Sequence, residues 1–326
     1  MNNFKKVGLS ALAGSLAMFS ATAEITLGGS AEATYTSNSG GGTSLGGNPI
    51  GLAHNIKVTG TGELDNGFTY SVMTDFDGQT MTRDSGIFKM DMGDLGTIGI
   101  DQGSGAFGIG TLENKVPTAW EEADHATGSL AHGIDANGAM NVIGYANTFM
   151  GVGVSVEYNP DISGTTAQEA GGVTGGTSLG SELNFALTYA VPQVEGLTLN
   201  YGEADTSHGT AEQGGTDEEV WAVNYVMGPV SVGYSGSSQR SAGATSQTNR
   251  HTGIAFNVNE NLSLSWGQNK ANSKTAAMTV EESTGVMAAY SMGSASVKLA
   301  SNSTDNVGGV VDVKDDNMEI SLALAF

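Results

Sequence analysis

A period-two alternation of apolar with small or polar residues runs along the chain from Ile25 to Phe326. The final segment, NMEISLALAF, carries its apolar residues on one side of an extended strand: Met318, Ile320, Leu322, Leu324 and Phe326. The same alternation occurs at 152–158, 183–191, 221–227, 230–234, 254–258, 262–266 and 286–292. Because successive side chains of a strand point to opposite faces, the pattern predicts an all-β chain whose strands each have one apolar face.

The connections between these segments alternate in length. Tight turns are expected at 65–67, 93–96, 192–196, 227–229, 259–261 and 292–294. Long polar stretches lie between them, at 37–52, 103–138, 159–181, 207–217, 240–248, 271–282 and 302–316. Since consecutive antiparallel strands reverse direction, short turns and long loops must lie at opposite ends. Counting the segments predicts about sixteen strands. Because this number is even, the first and last strands of the barrel should both have their chain termini at the end of the barrel that carries the short turns.

The second face of each strand decides between a soluble sandwich and a barrel. It carries Ser, Thr, Asn, Gly, Glu and Lys, which make a poor packed interior but suit a water-filled lumen. We therefore predict a transmembrane antiparallel β-barrel with its apolar faces outward. Such a barrel leaves no strand edge unpaired, so the last strand must pair with the first, ITLGGSAEATY, and Phe326 is expected at the interfacial aromatic girdle beside Phe68 and Phe149.

The first 23 residues are set apart as a predicted signal peptide. Lys5 and Lys6 precede an apolar stretch, and Ala21-Thr22-Ala23 forms a small-residue cleavage site. Residues 24–326 are then one barrel domain, in which no segment offers the ~20 apolar residues of a spanning helix. The chain has no cysteine, which excludes disulfides and thiol catalysis.

The charge is strongly acidic, with 34 acidic against 12 basic residues. Removal of Lys5 and Lys6 lowers the net charge from −22 to −24. Nucleic acid and anionic membrane surfaces repel such a protein, so neither is an expected partner. The same charge predicts a preference for cations in a channel.

These features together resemble the Gram-negative general porins, particularly the alphaproteobacterial type. The resemblance rests on the signal peptide, the strand count, the asymmetry of turns and loops, the terminal phenylalanine, and a long third loop containing KVPTAWEEAD. It implies a homotrimer of sixteen-stranded barrels in outer-membrane lipid and lipopolysaccharide. It also implies a third loop folded into each pore, and recognition of Phe326 by the outer-membrane assembly machinery.

The third loop, residues 103–138, is the expected pore constriction. It contains one lysine, Lys115, and the following acids: Glu113, Glu121, Glu122, Asp124 and Asp135. On the wall, Lys57 and Lys89 occupy polar faces of their strands, and Arg83 precedes the second of these strands. An acidic loop facing these three bases would produce a transverse field that disfavours apolar solutes.

Other chemistry has weak support in the sequence. Residues 103–108 match GxGxxG, but no helix or βαβ unit surrounds the motif, so no dinucleotide is expected. His125 and His132 have no standard zinc spacing, and calcium remains the more plausible ion, at Asp75 and Asp77 or at 312–316. No resident cofactor is expected. No GxSxG motif occurs, and we expect no enzymatic activity.

The sequence therefore predicts an outer-membrane porin for passive diffusion of small hydrophilic solutes and ions, with a cation preference. Two alternatives stay open: an adhesin or structural barrel whose lumen is closed, and a barrel enzyme with a nucleophile near its outer rim. Ion conductance in planar bilayers would exclude the closed lumen, and inactivity towards phospholipids and peptides would count against the enzyme.

Overall fold

A computed structural model describes residues 23–40, 48–123, 141–160, 180–208, 215–241, 246–274 and 278–326. Within these residues, sixteen antiparallel strands form one closed barrel. The strands are β1 Glu24–Gly40, β2 Ile50–Glu63, β3 Thr69–Asp77, β4 Arg83–Asp91, β5 Thr97–Gln102, β6 Val142–Phe149, β7 Val152–Asn159, β8 Gly180–Ala190, β9 Leu197–His208, β10 Thr216–Met227, β11 Val230–Ser241, β12 Gln247–Asn257, β13 Leu262–Ser273, β14 Glu281–Met292, β15 Ala295–Asp305 and β16 Lys314–Ala325. The predicted strand number is confirmed.

The last strand closes the barrel against the first, as predicted. In the β1–β16 ladder Tyr35 is opposite Ile320 and Ala31 is opposite Leu324. The final residue extends the ladder, since the Gly29 amide donates to the Phe326 carbonyl at 2.8 Å and the Phe326 amide donates to the Gly29 carbonyl at 3.1 Å. Closure pairs the backbone groups that a sheet edge would leave exposed to lipid.

The apolar faces point outward. Leu183 is 55% exposed, Val286 52% and Leu324 45%, although a soluble fold would bury such residues. The inward faces are mainly polar, and two clusters of buried apolar residues lie where the third loop packs against the inner wall. This is the arrangement of a barrel surrounded by hydrocarbon. Among the described residues, no helix has the length and apolar character needed to cross a membrane.

Short turns occupy one end of the barrel, here called the short-turn end, and longer connections occupy the other, the long-loop end. Between β6 and β7 the turn residues Met150 and Gly151 have φ of 52° and 84°. Positive φ at both central positions matches the right-handed twist of a two-residue hairpin.

Several strands run farther into the polar stretches than the sequence predicts. The connection expected at 302–316 shrinks, because β15 continues to Asp305 and β16 begins at Lys314. Where a strand extends outside the hydrocarbon core of the membrane, its outward residues need not be apolar. The alternation of apolar and polar residues is therefore lost there, although the strands remain hydrogen-bonded to each other.

Candidate functional site

The third loop turns into the barrel as it leaves β5. The Asp101 carboxylate, which is fully buried, fixes this turn. It accepts hydrogen bonds from the Ser104 amide at 2.7 Å, the Ser104 hydroxyl at 2.8 Å and the Ala106 amide at 2.9 Å. Three donors on one carboxylate hold the beginning of the loop against the wall.

The first half of the loop lies on the inner wall of β7 to β10. The Gly108 amide donates to the Ser155 hydroxyl at 2.9 Å, and the Ile109 amide donates to Asn184 Oδ1 at 3.0 Å. A small apolar cluster fixes the loop further and consists of Ile109, Leu112, Ala186, Ala204 and Val220. This half is therefore held by both hydrogen bonds and packing.

The second half continues across β12 to β15. The Ala119 amide donates to the Ser265 hydroxyl at 2.9 Å. Glu122 Oε2 lies 2.8 Å from Nδ1 of His251 on β12, and both side chains are buried. Ala123 packs against Met287 and Ala300 on β14 and β15. The loop thus follows the inner wall from β5 to β15 and narrows the lumen, as the sequence predicts.

Five inward-facing glycines make room for the loop, and we call them the wall glycines: Gly99, Gly144, Gly202, Gly233 and Gly253. A Cβ at Gly144 would lie 2.1 Å from Phe107, and one at Gly233 would lie 2.3 Å from Pro117. Real Cβ atoms are not found this close to other heavy atoms, so even alanine would displace the loop. Sequence reasoning missed these residues, although their inward position could be read from the alternation.

The loop acids fall into three groups. Glu122 is held by His251, as described above. Glu113 and Glu121 are exposed residues of the loop inside the barrel. Although Glu113 is exposed to the lumen, the surrounding protein partly desolvates its carboxyl and raises its pKa above the ordinary value, and the charge of Glu122 raises that pKa further. Asp124 and Asp135, together with His125 and His132, lie outside the described residues.

Two of the predicted wall bases face the lumen. Lys57 Nζ lies 3.3 Å from Asp75 Oδ2 on the neighbouring strand, and the same oxygen accepts a hydrogen bond from Asn55 at 3.1 Å. Lys89 Nζ lies 5.6 Å from the centroid of the Phe107 ring, beneath the first half of the loop. Lys57 is therefore partly neutralised by its neighbour, and Lys89 contacts the loop by a cation–π interaction.

Arg83 lies on the outer side of the wall. Its ladder partner is Phe76, and its guanidinium donates to Gln102. Gln102 lies on the same side of β5 as the exposed residues Ile98 and Ile100. A register shift between Asp75 and Phe76 precedes this point, and alternation along the sequence does not reveal such a bulge.

A further lumen base, Lys298, was not singled out by the sequence. Its Nζ lies 3.0 Å from Glu32 Oε1 and 5.2 Å from the centroid of the Trp120 ring in the loop. The Ser321 hydroxyl donates to the same Glu32 oxygen. The alternation of Val297 and Leu299 indicates that Lys298 faces inward, but its pairing with Glu32 depends on barrel closure.

The acids of the first predicted calcium site, Asp75 and Asp77, have other partners. Asp75 binds Lys57, while Asp77 Oδ1 accepts the Gln79 and Thr80 amides of its own turn, both at 2.8 Å. No group of three or more histidine or acidic residues in the described ranges is arranged to hold a metal ion. At the GxGxxG stretch, the only regular element that follows directly within the described loop is the short 3-10 turn Ile109–Leu112.

Comparison with known proteins identifies the family. The family model for the Gram-negative porin matches residues 8–323. No curated protein sequence gives a significant match. Three solved structures with the same fold are a porin refined at 1.8 Å resolution (13% identity, 93% of this chain and 100% of the other, TM-score 0.65), the anion-selective porin from Comamonas acidovorans (14%, 93% and 100%, 0.61) and the trimer form of OmpT, an outer membrane protein of Vibrio cholerae (11%, 94% and 100%, 0.62).

At these identities the structural likeness shows the fold alone. The family match covers nearly the whole chain and agrees with the closed barrel, its apolar outer face and its inward third loop. Family and fold together place the protein in the bacterial outer membrane. The chain belongs to the Gram-negative porin family.

Proposed function

We propose that this porin admits small hydrophilic solutes by passive diffusion and prefers cations. The observation that supports a cation preference is the acidic third loop inside a polar barrel. Its described part carries three acids, Glu113, Glu121 and Glu122, and one lysine, Lys115. Charges lining a narrow passage with low-dielectric walls concentrate the counter-ion. The cation therefore has the higher permeability.

The barrel alone does not set the sign of the selectivity, because a structural relative is described as anion-selective. The lumen charges have to decide it. Of the lumen lysines in the described residues, Lys57 and Lys298 each lie within 3.3 Å of a carboxylate. Their positive charge is compensated locally, and Lys89 lies beneath the loop against the Phe107 ring. The exposed loop acids Glu113 and Glu121 therefore contribute most to the proposed field in the passage.

The surroundings of the channel follow from its outer face. The trimer form of a related outer membrane protein supports a homotrimer here too. The remaining outward faces contact outer-membrane lipid and lipopolysaccharide, and Phe326 serves as the signal for the assembly machinery. Residues 1–23 are removed as a signal peptide, and transport proceeds along solute gradients without a cofactor or covalent chemistry.

The test compares loop variants in planar bilayers under a KCl gradient. The double variant Glu121→Gln, Glu122→Gln is expected to lower the cation-to-anion permeability ratio about twofold or more, since charges within a Debye length of the ion path contribute to it. The matched control is Glu203→Gln on the outer face, which should keep the wild-type ratio. An unchanged ratio in the double variant would show that the loop acids do not face the ion path.

Conductance itself separates the channel from the closed-lumen alternative. A refolded protein that inserts into bilayers without conducting ions would be a structural or adhesive barrel. Step-like openings would exclude that alternative.

A further inference from the structure

The inner wall of β15, β16 and β1 carries two acids at the height of the constriction loop. Lys298 contacts Trp120 of the loop and binds Glu32, which brings Glu32 to the level of the loop. Glu319 is the ladder partner of Ala300, and Ala300 packs against Ala123 of the loop. Both carboxylates therefore lie on the inner wall beside the second half of the loop.

These two acids are accessible from the lumen, unlike others on the inner face. Glu32 has a side-chain exposure of 34%, and Glu319 is also partly exposed. Glu157 and Glu182, which lie behind the first half of the loop, are each only 2% exposed. The loop covers the latter pair, whereas Glu32 and Glu319 remain on the open side.

Lys298 does not make this wall basic. Its ammonium group is shared between the Glu32 carboxylate and the face of Trp120, where a cation–π contact adds to the ion pair. Glu319 is the ladder partner of Thr36 on β1 and lies two residues before Ser321, which bonds Glu32, so a second carboxylate lies on the inner face beside the pair. Two carboxylates thus stand against one ammonium group on this wall.

We infer that Glu319, together with Glu32, determines the charge specificity of the channel from the wall side, so that acids line the constriction on both the loop and the wall. This inference rests on the proposed diffusion function and deepens it. The favoured solutes are inorganic cations and small organic cations such as amines. The transverse field expected from an acidic loop and a basic wall is weak at this wall, because the nearest lysine is compensated.

The expected size of the effect follows from Coulomb's law. A unit charge ~8 Å from the ion path, in water and screened by physiological salt, favours the cation and disfavours the anion enough to change their permeability ratio roughly twofold. Glu319→Gln should therefore lower the cation-to-anion ratio about twofold, and Glu319→Lys about fourfold. Glu32→Gln should also lower it about twofold, because it leaves the charge of Lys298 uncompensated.

The experiment measures reversal potentials of these variants in a KCl gradient, with Glu203→Gln on the outer face as the matched control. Heat-modifiable migration on gels confirms that each variant forms the barrel. Graded losses in Glu319→Gln and Glu319→Lys support the inference. Wild-type ratios in both would overturn it, while the response of the Glu121 and Glu122 double variant would still report separately on the proposed function.

Discussion

A methyl group added at Gly144 is predicted to displace the constriction loop. The new Cβ would lie 2.1 Å from the Cγ and Cδ2 atoms of Phe107. Carbon atoms in contact prefer about 3.5–4.0 Å, so the ring must move by about 1.5 Å. Phe107 is only 2% exposed and is followed by residues hydrogen-bonded to the wall, which leaves little room for that shift. Overpacking of this kind typically costs about 1–3 kcal/mol.

The assay for Gly144→Ala combines two measurements. Urea unfolding in detergent micelles should show a loss of about 1–3 kcal/mol, and single-channel conductance should change because the displaced loop alters the lumen cross-section. The matched control is Gly110→Ala in the same loop, where a Cβ meets nothing within 4 Å. Wild-type stability and conductance in Gly144→Ala would refute the argument that the wall glycines seat the loop.

Three further predictions concern individual charges. Replacing His251 with Phe leaves the buried Glu122 carboxylate without its partner, so the free energy of unfolding should fall by about 1–3 kcal/mol. An unfolding free energy equal to that of the wild type would contradict the contact. The pKa of Glu113 is raised above 4.5 in the folded protein, so this carboxyl becomes neutral as pH falls through the raised pKa, and the folded state gains stability over that range. Cation preference should therefore begin to decline while the pH is still above 4.5. The variant Glu113→Gln should lack this first decline. Arg83→Gln should leave the reversal potential unchanged, because Arg83 lies on the outer side of the wall, whereas a marked shift would place it in the lumen.

The barrel could be predicted from the sequence because its physical cause is local. Lipid outside and water inside impose the alternation on every strand, as the segment ending at Phe326 shows. Short turns carry their own signals, such as Asn66-Gly67, and closure follows from the need to pair every edge. Strand ends were harder to predict, since the alternation weakens at the polar rims.

The details of the constriction depend on contacts between distant residues. Lys298 and Glu32 are 266 residues apart, and only the register of β15, β16 and β1 brings them together. Arg83 was expected in the lumen because a bulge cannot be read from alternation. The wall glycines appear unremarkable in the sequence, because their small size matters only once the loop lies against them.

The reversal potential of the wild-type channel in a KCl gradient tests the central claim most directly. An aqueous barrel with acids at its constriction predicts discrete conductance steps and a reversal potential displaced towards the potassium equilibrium potential. A displacement towards the chloride equilibrium potential, or a membrane-inserted protein that passes no current, would contradict this account.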